Sequence, residues 1–470
     1  MNISKVIKLV KASLLIEDEL TLSYLHGVKL KELQKILKIK PKYTGLFLQI
    51  LHFFFSLIRS TSLTKRKINY DSHLLLFAGT QNQYESMLPT MIELNRRGIS
   101  YNLVAPKSVC KTAIDCRLGL VEACGALYIF ITHAYNLVFR LRKEKKIIEL
   151  NNFASNYFGN YIHLTFFSSL LLNLKASHLL VVTSNDHNSS NRSLRVISEL
   201  FKAKTLYMQH ASVSNIFPPL QYDYALLDGR AAYNIYKSCI DNLPTSNRDY
   251  PVNVFLSGQK KNVRIQKEPV IKLFDIGIAV NSLDDFSCLK NFLDIASKFN
   301  LSILIRTHPR QEEVFLEKLK FLLKGNVQWC NPKKNDIRSY FSSIKCLVAA
   351  NSSIHLEAAL AGLPTLYYEF NDGTELTDYY GYVERGLTYP LNIKKMIGSI
   401  EKGTLYCNTQ KRNVAVKMYS ATYMTKWENK EDKLVVSLIE KILTGKCVDN
   451  IFQLSKEQGL YKLYEIVNYK

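Results

Sequence analysis

Short apolar runs that stop in polar loops organise most of this chain. The first, His73-Leu-Leu-Leu-Phe-Ala-Gly79, gives way to a polar loop at Thr80-Gln-Asn-Gln83. A helical pattern then reaches Arg97 and stops at Gly98, and Ser100 to Ala105 restarts as a strand. That order of strand, loop, helix, glycine and strand predicts a βαβ unit. Three more apolar runs, His178 to Thr183, Thr205 to Met208 and Tyr224 to Leu227, end in the polar stretches 184–190, 209–215 and 228–230. The polar residues after them are expected along one edge of one sheet.

A second series begins after the charged stretch Ser257 to Pro269, which reads as a linker. It predicts strands at Leu273–Val280, Leu301–Arg306, Val327–Trp329, Lys345–Ala350 and Thr365–Tyr368. Helices are predicted from Asp284, from Glu312 and over Ile354–Ala361, the last ended by Gly362. Residues 1–70 and 401–470 read as helices. The expected fold is α/β, with two doubly wound, Rossmann-like domains (71–262 and 268–400) facing across a cleft and an N-terminal helical extension. No GxGxxG follows the first strand, so a dinucleotide cofactor is not expected.

A length of 470 residues suits two such domains. The net charge of +22 narrows the partners to anionic ones: nucleic acid, an anionic membrane face or anionic substrates. The positive charge is spread along the chain and no RRM, KH or zinc signature accompanies it, so nucleic acid is not the expected partner. Nine scattered cysteines without a CxxC pair argue against a disulfide framework and a zinc site, and for a reducing compartment. No stretch reads as a transmembrane span. The apolar run Leu46 to Ile58 is too short for the ~20 residues a span needs. Lys40 and Lys42 precede it, and Arg59, Lys65, Arg66 and Lys67 follow. A second run, Ala126 to Lys146, ends in Arg140, Arg142, Lys143, Lys145 and Lys146. Apolar segments rimmed by cations suit an interfacial helix on anionic lipid, and equally a core helix with solvated ends.

The candidate chemistry lies at strand ends. In Ile305-Arg-Thr-His-Pro-Arg310, Pro309 biases His308 away from helix and Arg306 and Arg310 flank it. An imidazole beside permanent cations suits a nucleotide phosphate. Asn351-Ser352-Ser353 precedes the helix carrying Glu357; this is either an ordinary N-cap or a phosphate cradle with a carboxylate for ribose or base hydroxyls. Gln209-His210 follows the Thr205–Met208 strand, where an imidazole could deprotonate a hydroxyl near neutral pH. Asp186, in Asp186-His187, is the rival base, against a plain turn. Asp228, Asp372 and Glu375 are possible cleft residues, and Asp284-Asp285 reads as a helix start favoured by the dipole. No ligand cluster calls for a metal.

The pairing of His308-Pro309 with Ser352-Ser353, Glu357-Ala358 and Gly362-Leu-Pro364 resembles the nucleotide-sugar half of GT-B glycosyltransferases. It is similar to the two motifs of bacterial sialyltransferases and polysialyltransferases, and to loops of Kdo transferases and CDP-glycerol glycerophosphotransferases. Residues 270–370 carry the resemblance well and 175–240 loosely. Met208-Gln-His-Ala211 lacks the acidic pair of the sialyltransferases. The resemblance implies an inverting, cytoplasmic glycosyltransferase on the inner membrane face. It would use a nucleotide sugar, CMP-linked by preference or UDP-linked, and a polysaccharide or glycolipid acceptor, with no cofactor. A CDP-polyol phosphotransferase and a UDP-sugar 2-epimerase-like enzyme are the alternatives within the fold, and a basic nucleic-acid-binding protein is the alternative outside it.

Overall fold

The computed structural model describes residues 2–37, 44–64, 66–174, 178–243, 251–259, 272–309, 311–371 and 377–467. They form two compact units. The first holds residues 1–228, 232–259 and 430–470, and the second 229–231 and 260–429. The division falls inside the charged stretch read as a linker.

In the first unit, β1 (Leu74–Phe77), β2 (Asn102–Ala105), β3 (Ile114–Asp115), β4 (Leu180–Thr183), β5 (Lys204–Met208), β6 (Tyr224–Leu227) and β7 (Val252–Leu256) are parallel. They lie in the order β3-β2-β1-β4-β5-β6-β7. β1 and β4 are fully buried, which explains why they read as continuous rather than alternating apolar runs. The order reverses between β1 and β4, the switch point at which doubly wound sheets open a crevice at their carboxyl ends.

The second unit repeats the plan. Its strands β8 (Phe274–Val280), β9 (Ile303–Thr307), β10 (Val327–Cys330), β11 (Ile344–Ala349), β12 (Thr365–Tyr367) and β13 (Tyr389–Pro390) are parallel, in the order β10-β9-β8-β11-β12-β13. Its switch point lies between β8 and β11.

The helices of the first unit are α1 (Ile3–Ile16), α2 (Glu19–Leu22), α3 (Tyr24–Gly27), α4 (Leu30–Leu37), α5 (Leu46–Arg59), α6 (Gln81–Arg96), α7 (Leu120–Lys143), α8 (Ile147–Leu174), α9 (Ser189–Leu200) and α10 (Arg230–Ser238). Those of the second are α11 (Phe286–Ala296), α12 (Glu313–Lys320), α13 (Ile337–Ser343), α14 (Ile354–Leu360), α15 (Met396–Tyr406) and α16 (Gln410–Tyr419). Helix α17 (Glu431–Thr444) returns to the first unit, where Glu440 pairs with Arg97 of the α6 C-cap.

The N-terminal helices are a layer of the first unit rather than an extension from it. Val6 and Val10 of α1 and Phe53 and Leu57 of α5 belong to the same core as β1, α7, α8 and α9. At the end of α1, buried Glu17 is gripped by Arg192 (2.7 Å) and Arg195, both on α9. Losing one partner of such a pair costs about 3–5 kcal/mol. Helix α8 is the axle of this layer. It is apolar on nearly all sides, which a helix tolerates only when surrounded. By length and composition α7 is long and apolar enough to cross a membrane. In the fold it packs along α8 and buries Ala126, Ile129, Phe130, Ala134, Leu137 and Leu141.

The tail departs from the helices expected for 401–470. Its last part forms a hairpin, β14 (Phe452–Gln458) and β15 (Tyr461–Ile466), with β15 parallel to β7. Apolar residues at Tyr461, Leu463 and Ile466 are buried, and Gly459 takes φ +56° in the two-residue turn. Period-two alternation about a glycine of positive φ is a hairpin signal, and it outweighs the helical reading. A smaller departure is at Thr80-Gln83: Thr80 accepts from Gln83 N as an N-cap, and α6 begins at once.

Candidate functional site

In the second unit the polar loops gather at the carboxyl ends of β8, β9, β11 and β12. The loop after β8 is tied to the loop after β11 by Asn281, whose Nδ2 donates to Asn351 O (3.2 Å). Asn351 Oδ1 in turn accepts from Tyr379 N (2.8 Å). Ser352 is half-buried and its Oγ accepts from Ile354 N (3.5 Å), while Ser353 is exposed as the α14 N-cap without a side-chain capping bond. Glu357 is half-buried on α14, and its carboxylate makes no hydrogen bond or ion pair among the described residues. On the same helix, His355 is fully buried, with Nε2 donating to Ala349 O (3.1 Å) and Ala350 O (3.0 Å). Burial holds its pKa down at about 4.

His308 and Pro309 follow β9 and are exposed. Arg306 lies on β9 and donates to Asn335 O (3.0 Å), with its guanidinium 5.6 Å from the Tyr340 ring centre. Its charge is therefore turned toward α13. Arg310, Asp372 and Glu375 lie outside the described residues.

Asp284 reads in the sequence as no more than a helix start, and the structure gives it a larger part. It is 7% exposed; Oδ2 accepts from Asn281 N (2.8 Å) and Oδ1 is buried without a partner. Burial, reinforced by Glu369 and Asp285, raises its pKa to about 7. A carboxyl group that stays partly protonated at neutral pH can donate as well as accept a hydrogen bond. The signal was available in its position, just past the apolar run 276–280, where a buried acid is more constrained than on a solvated helix start.

In the first unit, Gln209 and Asp228 end β5 and β6 and are both buried. Gln209 Oε1 accepts from Asp228 N (2.9 Å) and Nε2 donates to Ala211 O (2.9 Å), so Gln209 braces the loop that carries half-buried His210.

Asp186 and His187 follow β4 at the switch point. Asp186 is 2% exposed, and both its oxygens are occupied. Oδ1 lies 2.9 Å from His187 Nδ1, and Oδ2 accepts from Tyr236 Oη (2.6 Å), itself 2.9 Å from Tyr207 Oη. Asn185 Oδ1 accepts from His187 N (3.0 Å) and Asn188 N (2.7 Å), which turns its Nδ2 toward His187 Nε2 (3.3 Å). A carboxylate on Nδ1 and an amide donor facing Nε2 select the tautomer with the lone pair on Nε2. Phe217 packs against the ring at a tilt of 36°, with centroids 4.3 Å apart. The basic group presented here is thus the His187 imidazole, with Asp186 behind it.

His187 lines a cavity of about 360 Å³. Gly79 and Thr80 after β1, Asn188, Ser189 and Ser190 after β4, His26 of α3, Ser56 of α5, and Gly159 and His163 of α8 also line it. Among the described residues no group of three or more His, Cys, Asp or Glu is placed to hold a metal ion.

No family model matches this sequence, and no curated protein matches it. Solved structures do. A protein of Listeria monocytogenes described as a UDP-N-acetylglucosamine 2-epimerase is 11% identical, with a TM-score of 0.50 over 80% of this chain and 97% of its own. The UDP-GlcNAc 2-epimerase of Methanocaldococcus jannaschii is 14% identical with a TM-score of 0.47, covering 78% and 99% of the two chains. The calicheamicin glycosyltransferase CalG4 is 10% identical with a TM-score of 0.48, covering 80% and 100%. At such identities likeness speaks for the fold, and the fold is of the GT-B type, built on two Rossmann-like units.

Proposed function

We propose that the protein is an inverting glycosyltransferase that uses a nucleotide sugar as donor and a polysaccharide or glycolipid as acceptor. The observation that carries this reading is the Asp186–His187 pair at the first switch point. It holds an imidazole of fixed tautomer beside a cavity in one unit, its Nε2 facing Asn185 Nδ2 at 3.3 Å, while the other unit gathers its own polar loops at a second switch point. Two separate ligand places suit a donor and an acceptor; an epimerase needs only the nucleotide sugar.

In this account the second unit holds the nucleotide sugar, CMP-linked by preference. His308, Arg310, Ser352 and Ser353 meet the phosphate, and Asn351, Pro309 and Arg306 shape the loops around it. Asp284 holds the loop after β8 through Asn281 N. Glu357, with Asp372 and Glu375, accepts from ribose or base hydroxyls. The first unit holds the acceptor, and His187, oriented by Asp186, removes the proton from the attacking hydroxyl. His210, braced by Gln209 and Asp228, is the alternative base. Donors fixed around the leaving nucleotide offset its developing charge, and this electrostatic stabilisation lowers the barrier more than any other single effect. Neither a metal nor a cofactor is required.

The first unit also supports a membrane-facing reading. α5 exposes Phe47, Phe55 and Ile58, and α7 exposes Ile131, Tyr135 and Phe139. Both helices pack on α8 and meet where Phe53 stacks on Phe130 (centroids 4.3 Å apart). Arg59, Arg142, Lys143 and Lys145 are exposed around them. Arg66 and Arg140, expected to face lipid, turn inward: Arg66 pairs with Glu122, and Arg140 with Asp18 and Glu19. Lys40, Lys42 and Lys65 lie outside the described residues. The remaining cations rim an apolar face that suits the anionic inner leaflet of a cell membrane.

The test is nucleotide release from CMP-, CDP- and UDP-linked donors with extracted surface polysaccharide, for the wild type and His308→Ala. Acceptor-dependent release, abolished in the variant, supports the account. A variant retaining near-normal kcat/KM removes His308 from it, and a transfer of polyol phosphate rather than sugar selects the CDP-polyol alternative.

A further inference from the structure

We propose that the cavity at the first switch point is a binding pocket for an uncharged sugar ring, closed on one side by α8. Its volume of about 360 Å³ falls in the range of small-molecule sites, ~300–1,000 Å³. The lining decides the chemistry. It contains no Asp, Glu, Lys or Arg; apart from Leu25 it offers hydroxyls, amides, imidazoles and glycines.

An anion would need counter-charge, and no side chain of the lining supplies it. Of the two helices that begin at the cavity, α6 has a side-chain cap and α9 has none. Thr80 Oγ1 accepts from Gln83 N (3.4 Å) and Gln83 Oε1 accepts from Gly79 N (2.8 Å) at α6. At α9, Asn185 Oδ1 takes the N–H groups of His187 and Asn188. The first-turn N–H groups of α9 stay open, but with no cationic side chain beside them they suit the oxygen of a neutral hydroxyl as well as an anion, and phosphate is therefore the competing probe.

What the cavity offers instead is unspent neutral hydrogen-bonding capacity. The imidazoles of His26 and His163 line it, and neither ring makes a hydrogen bond to any described residue. Burial holds both below the ordinary histidine range, His163 at about 4, so both are neutral at pH 7. A neutral imidazole has one donor and one acceptor, which matches a sugar hydroxyl, itself both. Both rings are open to the cavity, so a sugar hydroxyl can replace solvent at their nitrogens.

Gly159 supplies the room. A Cβ built there meets nothing within 4 Å, although the residue sits in the interior of a 28-residue helix where glycine is unfavourable. Its missing side chain leaves space that a ring would fill, in a lining shared with the α9 serines Ser189 and Ser190. That the ring belongs to the acceptor rests on the transferase reading; the pocket's preference for a neutral sugar rests on its lining alone.

The experiment is saturation-transfer NMR of the full chain with methyl glycosides of glucose, galactose and N-acetylglucosamine, with inorganic phosphate as the competing probe. At least one glycoside is expected to bind the wild type and Gly159→Ala, and to bind Gly159→Leu at least 10-fold more weakly. His163→Phe, similar in size but without ring nitrogens, is expected to weaken it likewise, and phosphate is expected not to displace it. Absence of glycoside binding, binding unchanged in Gly159→Leu and His163→Phe, or displacement by phosphate would each overturn the proposal. Nucleotide binding is followed in parallel. Its persistence when glycoside binding fails would confine the failure to this pocket, and its loss in the wild type would instead remove the transferase reading.

Discussion

His187 Nδ1 lies 2.9 Å from Asp186 Oδ1, and the carboxylate that orients the ring is itself locked by Tyr236. The imidazole at the switch point of the first sheet is thereby fixed in tautomer and direction. If it is the base, His187→Gln should lower kcat by about 10²–10⁴-fold with little change in donor KM. Asp186→Asn should lower kcat less and shift the acidic limb of the pH–rate profile. Loss confined to His210→Gln would transfer the role to His210.

Asp284 links the second unit to pH. Its folded pKa of about 7 is above the unfolded value near 3.8, so its stabilising contribution is complete below pH 3.8 and lost as pH rises through 7. Asp284→Asn should therefore gain on the wild type progressively between pH 4 and pH 8, by on the order of a few kcal/mol at the upper end. Thermal melts across that range check it; a difference independent of pH would reject the buried-acid assignment.

The buried histidines act in the opposite sense. His355 titrates at about 4 in the fold, against about 6.5 when unfolded. Above pH 6.5 both states are neutral and nothing is lost; between pH 6.5 and 4 the unfolded chain binds the proton first and stability falls. His355→Asn should flatten this acid limb in urea titrations while costing stability at pH 7, because the bonds to Ala349 and Ala350 are weakened.

How much of this was legible in the chain varied with the physics of each element. Most strands of both sheets could be read directly, because parallel strands buried on both faces leave continuous apolar runs that stop at the loops; β3, β7 and β13, short or interrupted by a polar residue, were not among those expected. The tail hairpin was missed, since charged residues between Phe452 and Ile466 mask a period-two pattern that Gly459 discloses. The N-terminal helices read as a detachable extension because their partner, α8, is distant in sequence. Nothing local in Glu17 announces that Arg192 and Arg195 will enclose it. His308 and Ser352 were found from strand-end position, whereas the importance of His187 depends on a tyrosine far along the chain, Tyr236.

The membrane-facing reading has its own test. Because α1 to α5 belong to the core, deletion of residues 1–66 would unfold the first unit, and point changes are needed. Phe55→Glu with Tyr135→Glu should reduce binding to vesicles containing phosphatidylserine by more than ~10-fold without changing the melting temperature. The binding of the wild type should weaken with salt. Sedimentation with vesicles unchanged in the double variant would remove the α5–α7 face from the account.

The central claim is that sugar leaves the nucleotide only for an acceptor. The most direct measurement is NMR of a ¹³C-labelled nucleotide sugar incubated with the protein, with and without extracted polysaccharide. The account predicts a stable donor alone and a new glycosidic linkage of inverted anomeric configuration when polysaccharide is added. Conversion of the donor to its C2 epimer without any acceptor would contradict it.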